Sequence, residues 1–352
     1  MNLLLRTDAS LKIGTGHAMR CLALAQAWQD AGGRAVFAMA EATPAVQERL
    51  RGEGVEVVSL RGTPGSQEDS GQTALLAANN GADWVVVDGY QFGADYQLAL
   101  KRAGHKILFI DDNGHAEHYS ADLVLNQNAY ASEDMYRNRE SGTGLLLGLH
   151  YAILRREFRR WHLERPDGLG SENKRPVTKV LVTLGGSDAG DLTLRVIEAL
   201  EHVQPATIEV RIVAYGSSAF TELETAATKA RVRLLRNVTS MPELMAWADI
   251  AVSGAGTTVL ELAFMGVPAI LLVTAENQRS NAQEWEGLGL AQNLGDATHL
   301  SAEQLAGAVS ALIADRERRT TMARSARTLV DGLGAERVVA KLAARDRRER
   351  NG

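Results

Sequence analysis

The feature that most constrains this chain is an alternation, run through twice, of short apolar segments and alanine-rich amphipathic ones. Leu3–Arg6, Ala35–Ala38, Val55–Ser59, Trp84–Val87, Lys106–Ile110 and Leu123–Leu125 read as strands, and helices such as Ala18–Ala31 fill the gaps. Buried strands alternating with amphipathic helices imply a parallel sheet with right-handed crossovers, a layout that puts ligand sites at the carboxyl ends of the strands. From Tyr151 the pattern gives way to a charged helix, Leu154–Trp161, and a polar Gly/Pro-containing stretch, Glu164–Pro176. It then restarts with strands at Val177–Leu184, Glu209–Ala214, Arg233–Leu235, Ile250–Val252 and Ala269–Val273. The expected organisation is a first α/β domain over 1–150, a linker over 151–176 and a second α/β domain over 177–352. Ala335–Arg350, helical in period and strongly charged, reads as a solvated surface helix closing the second domain. Its pattern does not fix whether it returns to the first domain.

A chain of 352 residues is longer than one hydrophobic core usually serves, which agrees with two domains. The net charge of -5 supplies no basic field, and no Lys/Arg run is interleaved with aromatics, so nucleic acid is not an expected partner. The first residues meet Arg6 after only three leucines, with no signal-peptide core, and no later apolar run spans a bilayer; a cytoplasmic location without membrane insertion is the expectation. Cys21 is the single cysteine, which rules out an intrachain disulfide and a multi-cysteine zinc site. A buried inert thiol is the plainer reading of it.

The first strand leads into Ile13-Gly14-Thr15-Gly16-His17-Ala18-Met19-Arg20. Gly14 and Gly16 allow tight backbone just before a helix, where free N–H groups and the helix dipole favour an anion. A turn that needs glycine only for its geometry explains the same residues. A dinucleotide fingerprint fails, because Met19 stands where the third glycine belongs. His17 sits at the helix start, where a neighbouring dipole disfavours imidazolium and leaves a ring able to take a proton from water. Asp88 and Tyr90 follow another strand and can face the same site, although a structural tyrosine explains Tyr90 equally well.

The second domain carries a matching loop, Ser253-Gly254-Ala255-Gly256-Thr257-Thr258, opening a helix that contains Glu261. Its amides and the Thr257 and Thr258 hydroxyls suit a diphosphate, and Glu261 suits ribose hydroxyls; complementing the helix N-terminus is the simpler role for Glu261. Asn277 and Gln278, after a further strand, suit sugar hydroxyl and acetamido groups, though amides are common in loops. Asp111-Asp112-Asn113-Gly114-His115-Ala116-Glu117-His118 has metal-binding residue types, but in one short turn-forming loop, and no metal or cofactor is expected.

These segments, with Arg6–Ser10, Leu147-Gly148, Tyr151–Phe158 and Gly185-Gly186-Ser187-Asp188, resemble the UDP-2,4-diacetamido-2,4,6-trideoxy-β-L-altropyranose hydrolases over nearly the whole chain. The resemblance implies two Rossmann-like domains in a GT-B arrangement with an interdomain cleft, uridine diphosphate held mainly by the second domain and the sugar facing the first. It implies a step toward pseudaminic acid, no metal, and His17 as the catalytic histidine. Gly186 and Ser187 join the substrate-binding positions. In that scheme His17 deprotonates water behind the anomeric carbon, Asp8 or Tyr90 orients the water or sugar, and UDP leaves with inversion. Two alternatives remain: a GT-B glycosyltransferase in which an alcohol acceptor replaces water, and a sugar-nucleotide-binding protein without catalysis.

Overall fold

The structure is a computed structural model and describes residues 1–10, 13–164, 179–185, 191–204, 208–214, 220–229, 232–236, 238 and 240–351. Among these residues, strands β1 (Asn2–Thr7), β2 (Arg34–Met39), β3 (Glu56–Ser59), β4 (Trp84–Asp88), β5 (Ile107–Ile110), β6 (Leu123–Asn126) and β7 (Gly144–Leu147) form one sheet. Its order is β3-β2-β1-β4-β5-β6-β7. A second sheet is built from β8 (Lys179–Thr183), β9 (Glu209–Val213), β10 (Val232–Leu235), β11 (Ile250–Gly254), β12 (Ala269–Val273) and β13 (Gln292–Asp296), in the order β10-β9-β8-β11-β12-β13. Every strand pair is parallel. The helices are α1 (Gly16–Asp30), α2 (Pro44–Gly52), α3 (Gln67–Asn79), α4 (Ala94–Arg102), α5 (Arg156–Glu164), α6 (Asp191–Glu201), α7 (Phe220–Lys229), α8 (Met241–Trp247), α9 (Thr258–Met265), α10 (Arg279–Gly287), α11 (Ala302–Ala314), α12 (Arg316–Leu329) and α13 (Gly334–Asn351).

Period-two alternation explains why the first sheet is apolar on both faces. Leu3, Leu5, Trp84 and Val86 point into one core with Leu22, Trp28, Val338 and Leu342, whereas Leu4, Val85 and Val87 point into the other with Phe92, Tyr96 and Leu100. In the second sheet Val180, Val182, Ile270 and Leu272 pack with Val196, Leu200, Val309 and Leu312. No helix among the described residues is long and apolar enough to cross a membrane.

The chain divides into a first unit, Met1–Arg156 with Gly332–Gly352, and a second unit, Glu157–Asp331. This corrects the place expected for the last helix, which packs in the first unit and not in the second. Ala335, Val338, Val339 and Leu342 of α13 form an i, i+3, i+4, i+7 stripe buried in the core shared with α1. Asp346 accepts a hydrogen bond from Trp84 Nε1 at 3.0 Å and an ion pair from Lys106 at 2.6 Å. The charges of α13 therefore flank an apolar stripe and do not mark a wholly solvated helix. Residues 165–178, most of the expected linker, lie outside the described residues.

In each sheet the winding reverses between two neighbouring strands, β1 and β4 in the first and β8 and β11 in the second. Loops leaving such a pair diverge to opposite sides and open a crevice at their carboxyl ends. Thr7 pairs with Asp88 at the first of these points and Thr183 with Ser253 at the second. The candidate loops His17 and Tyr90, and Gly185 and Gly254, follow those pairs.

Candidate active site

The loop from β1 turns sharply into α1. Gly14, at φ +79°, donates its N–H to the Ser10 carbonyl at 2.8 Å, so glycine here meets a left-handed turn. Thr15 is the N-cap of α1 but makes no side-chain capping bond, and Gly16, the first helical residue, is exposed. The helix then carries His17, Arg20 and Cys21 to the end of β4, where all three meet one carboxylate, that of Asp88.

His17 is only 8% exposed, and its Nδ1 lies 2.7 Å from Asp88 Oδ1. An ionised carboxylate only accepts hydrogen bonds, which puts the proton on Nδ1 and the basic lone pair on Nε2. Nε2 has no hydrogen-bond partner among the described residues. Asp88 thus fixes the tautomer and orientation of a ring whose other nitrogen is available to a substrate or water. The Tyr90 ring stands edge-on to the imidazole with centroids 4.8 Å apart, and Tyr90 is itself 43% exposed.

Arg20 supports Asp88 from behind. Its Nε donates to Oδ2 and its Nη2 to Oδ1, both at 2.6 Å, while Nη1 donates to both oxygens of Asp112 at 2.8 Å. Burial alone raises a carboxyl such as Asp88, but the Arg20 guanidinium and the His17 ring hold it far below the usual carboxylate range. Folded-state depression of this kind contributes stability above the unfolded carboxylate pKa and loses it only as pH falls through the folded value, so the pair stays ionised across neutral pH. Asp112 accepts from Asn128 Nδ2 at 2.8 Å and from the Tyr90 hydroxyl at 3.4 Å, and its backbone carbonyl accepts from Tyr130 at 2.8 Å. Cys21 is fully buried, with Sγ 3.5 Å from Asp88 Oδ2; burial first, then Asp88, pushes its thiol well up, which makes it an inert packing group.

Asp8 takes a different place from the one its sequence position suggested. It is buried, with Oδ1 accepting from the Ala40 and Glu41 amides at 2.8 and 2.9 Å and pairing with Arg6 at 2.8 Å. Its Oδ2 accepts from Gln91 Nε2 at 2.9 Å. A carboxylate so occupied ties β1 to β2 and to the loop after β4, and is not free to hold water or sugar. The metal-like loop is likewise internally satisfied. Asp111 accepts from the amides of Asn113, Gly114 and His115 and from the Tyr119 hydroxyl, His115 bridges Asp111 and the Phe92 carbonyl, and His118 turns to Asn138 and Glu140.

In the second unit, Thr257 is the N-cap of α9 and, like Thr15, makes no side-chain capping bond. Thr258 starts the helix and Glu261 lies on its first turn. The two glycines before it differ. A Cβ on Gly254 lies 2.9 Å from the Leu184 carbonyl, so that glycine meets strand packing, whereas a Cβ on Gly256 meets only Gln278 Nε2 at an ordinary 3.6 Å. The expected sugar-binding amides also divide. Gln278 Oε1 accepts from the Ala255 and Thr274 amides and the Thr274 hydroxyl, bracing the loop from inside, and Asn281 Nδ2 donates to the Ala255 carbonyl at 2.9 Å. Asn277 is exposed. Gly186 and Ser187 lie outside the described residues.

Residues 179–338 match the model of the glycosyltransferase family 28 C-terminal domain. An uncharacterised protein of Methanocaldococcus jannaschii is 25% identical over 286 residues, which are 79% of this chain and 57% of that protein. The UDP-2,4-diacetamido-2,4,6-trideoxy-β-L-altropyranose hydrolase of Campylobacter jejuni is 27% identical over 202 residues, 57% of this chain and 66% of that enzyme. Against these relatives the chain thus spans two thirds of their length or less. The crystal structure of Acinetobacter baumannii MurG superposes with a TM-score of 0.65 at 18% identity, covering 97% of this chain and 99% of that one. That likeness shows the GT-B fold of two parallel α/β domains expected from the resemblance.

Arg20 and Asp112 stand in the sequence motifs without a role of their own, and Asn128 stands in none. Arg20 carried a signal: it falls three residues after His17 on a helix face otherwise occupied by Ala18, Cys21 and Leu24, where an arginine must find buried acceptors. Asp88, the last residue of β4, and Asp112, two residues past β5, are the acceptors it finds.

Proposed function

We propose that this chain hydrolyses a UDP-linked 2,4-diacetamido-2,4,6-trideoxy sugar at the anomeric carbon, releasing UDP and the free sugar for a nonulosonic acid such as pseudaminic acid. The observation that carries the reading is the His17–Asp88 pair, 2.7 Å apart, which leaves Nε2 as an unpartnered base at a switch-point crevice. On this reading Nε2 takes a proton from water as the water attacks the anomeric carbon from the face opposite the leaving group. The carbon–oxygen bond to the β-phosphate breaks, and the sugar leaves inverted. Asp88 stabilises the imidazolium that forms, and Tyr90, exposed beside His17, borders the sugar. The uncapped start of α9 and the hydroxyls of Thr257 and Thr258 receive the diphosphate, Glu261 the ribose, and Asn277 the sugar's polar groups. Gly256, which neither packing nor a left-handed backbone demands, leaves room for that approach.

The named Campylobacter jejuni relative supports hydrolysis. The match of residues 179–338 to a glycosyltransferase domain favours the second reading, transfer to an alcohol from the same donor. Incubation of the full chain with the diacetamido-trideoxy-altrose donor in heavy-oxygen water, without acceptor, separates them. Label in the sugar with unlabelled UDP is expected, and a His17→Ala variant is expected to release no UDP above background. UDP release that waits for an added acceptor overturns hydrolysis in favour of transfer.

A further inference from the structure

We infer that Arg20 and Asp112 are positioning residues that set the charge state of His17 in a buried row of alternating charges, acting across Asp88 and, for Arg20, also directly, since its Nη2 stands 3.1 Å from His17 Nδ1. The inference rests on the reading of His17 as the base. All three guanidinium nitrogens of Arg20 are committed, Nε and Nη2 to the two oxygens of Asp88 and Nη1 to both oxygens of Asp112. Asp88 Oδ1 is shared between Arg20 Nη2 at 2.6 Å and His17 Nδ1 at 2.7 Å, so the oxygen that orients the imidazole is itself held by the guanidinium. An Asp–His pair alone favours the imidazolium, so that less of the ring is in the proton-accepting form as pH falls. A cation on the far side of the aspartate opposes that pull, and a second carboxylate beyond it moderates the cation.

The remaining groups around the ring do not compete for this role. Tyr90 is in edge contact, and His115, beyond Tyr90, is paired with Asp111 at 2.9 Å. The Cys21 thiol is pushed up by burial and by Asp88, and at the end of β1 Asp8 is paired with Arg6. Arg20 and Asp112 are therefore the charges whose removal changes the field on His17 while Asp88 stays in contact with it. The two removals act in opposite senses, which a merely structural brace does not do.

The test is a nitrogen-15 NMR titration of histidine-labelled full-length protein, with His17 assigned by its loss in His17→Gln, comparing wild type, Asp112→Asn and Arg20→Met. Asp112→Asn is the gentler variant, since an amide oxygen in the place of Oδ1 keeps the Arg20 and Asn128 donors and only the second Arg20 contact, at Oδ2, is given up. The ring is expected to titrate about one pH unit lower in Asp112→Asn and about one unit higher in Arg20→Met. The acidic limb of kcat/KM for UDP release is expected to move in the same two directions. Shifts of the same sign, or none alongside a lowered melting temperature, overturn the inference. If Arg20→Met does not fold, the sign seen in Asp112→Asn decides. A wild type that releases no UDP sinks the proposed reaction but leaves the titration readable, so the two fail separately.

Discussion

The two switch-point loops share a topology and differ in chemistry. In the first unit the crevice is lined by a buried ionic row, His17, Asp88, Arg20 and Asp112, each group held by charged hydrogen bonds of 2.6 to 2.8 Å. In the second unit the loop before α9 offers glycine backbone, threonine hydroxyls and amides, with Glu261 the one ionisable residue between Ser253 and Leu262. A parallel sheet fixes where a site stands, and the side chains after each strand decide whether it moves protons or cradles an anion. On the proposed function, the first unit does the chemistry and the second holds the nucleotide.

Substitutions can break or sharpen that division. The largest expected effect is at His17: His17→Ala should lower kcat/KM for UDP release by about 10²- to 10⁴-fold with UDP affinity within a factor of two or so, read by coupled UDP assay and calorimetry. Loss of UDP binding in that variant erases the division of labour. Asp88→Asn removes a buried anion from between Arg20 and His17, so it should cost about 3–5 kcal/mol of stability in denaturant melts besides depressing kcat. In the second unit, Gly256→Ala should weaken UDP binding by about tenfold, roughly 1.4 kcal/mol, at unchanged melting temperature. Gly254→Ala, two residues earlier, should instead destabilise by about 1–3 kcal/mol, because its Cβ meets the Leu184 carbonyl. The smallest effect belongs to His115, whose ring burial pulls down and Asp111 raises above the ordinary histidine value. A raised folded pKa contributes stability that is complete below the unfolded pKa near 6.5 and lost as pH rises through the folded value. Wild type should therefore lose about 1–2 °C of melting temperature through that window relative to His115→Gln.

The sequence carries the fold because its strands are two-sided apolar runs. β1 and β4 are plain in Leu3-Leu4-Leu5 and Val85-Val86-Val87, where alternate residues enter opposite cores. The edge strands β7 and β13 are not: β7, Gly-Leu-Leu-Leu, is apolar but only four residues long, and β13 is half-covered and needs less apolar character. β13 reads Gln-Asn-Leu-Gly-Asp, with Gly295 at positive φ and a register shift against β12. At the site, strand-end position and residue type direct attention to His17 and Tyr90, which the fold brings into edge contact. They misjudged Asp8 and Gln278, because nothing local in the sequence tells whether a polar side chain turns outward or back onto neighbouring backbone amides. Those partners come from the loop after β2 for Asp8 and from the loop after β11 for Gln278, contacts that exist only once the sheets have formed.

The return of α13 to the first unit has a consequence for synthesis on the ribosome. Val338 and Leu342 complete the core against α1, and Asp346 receives Trp84 from the centre of the first sheet, yet these residues emerge only after the whole of Glu157–Asp331. The unit that starts first is thus finished last: the nascent first sheet waits with one apolar face incompletely covered while the second unit, contiguous in sequence, folds ahead of it. Stalling or proteolytic trimming before Gly334 leaves a chain whose second unit is whole and whose first unit has an exposed core, the part that chaperones and proteases then find.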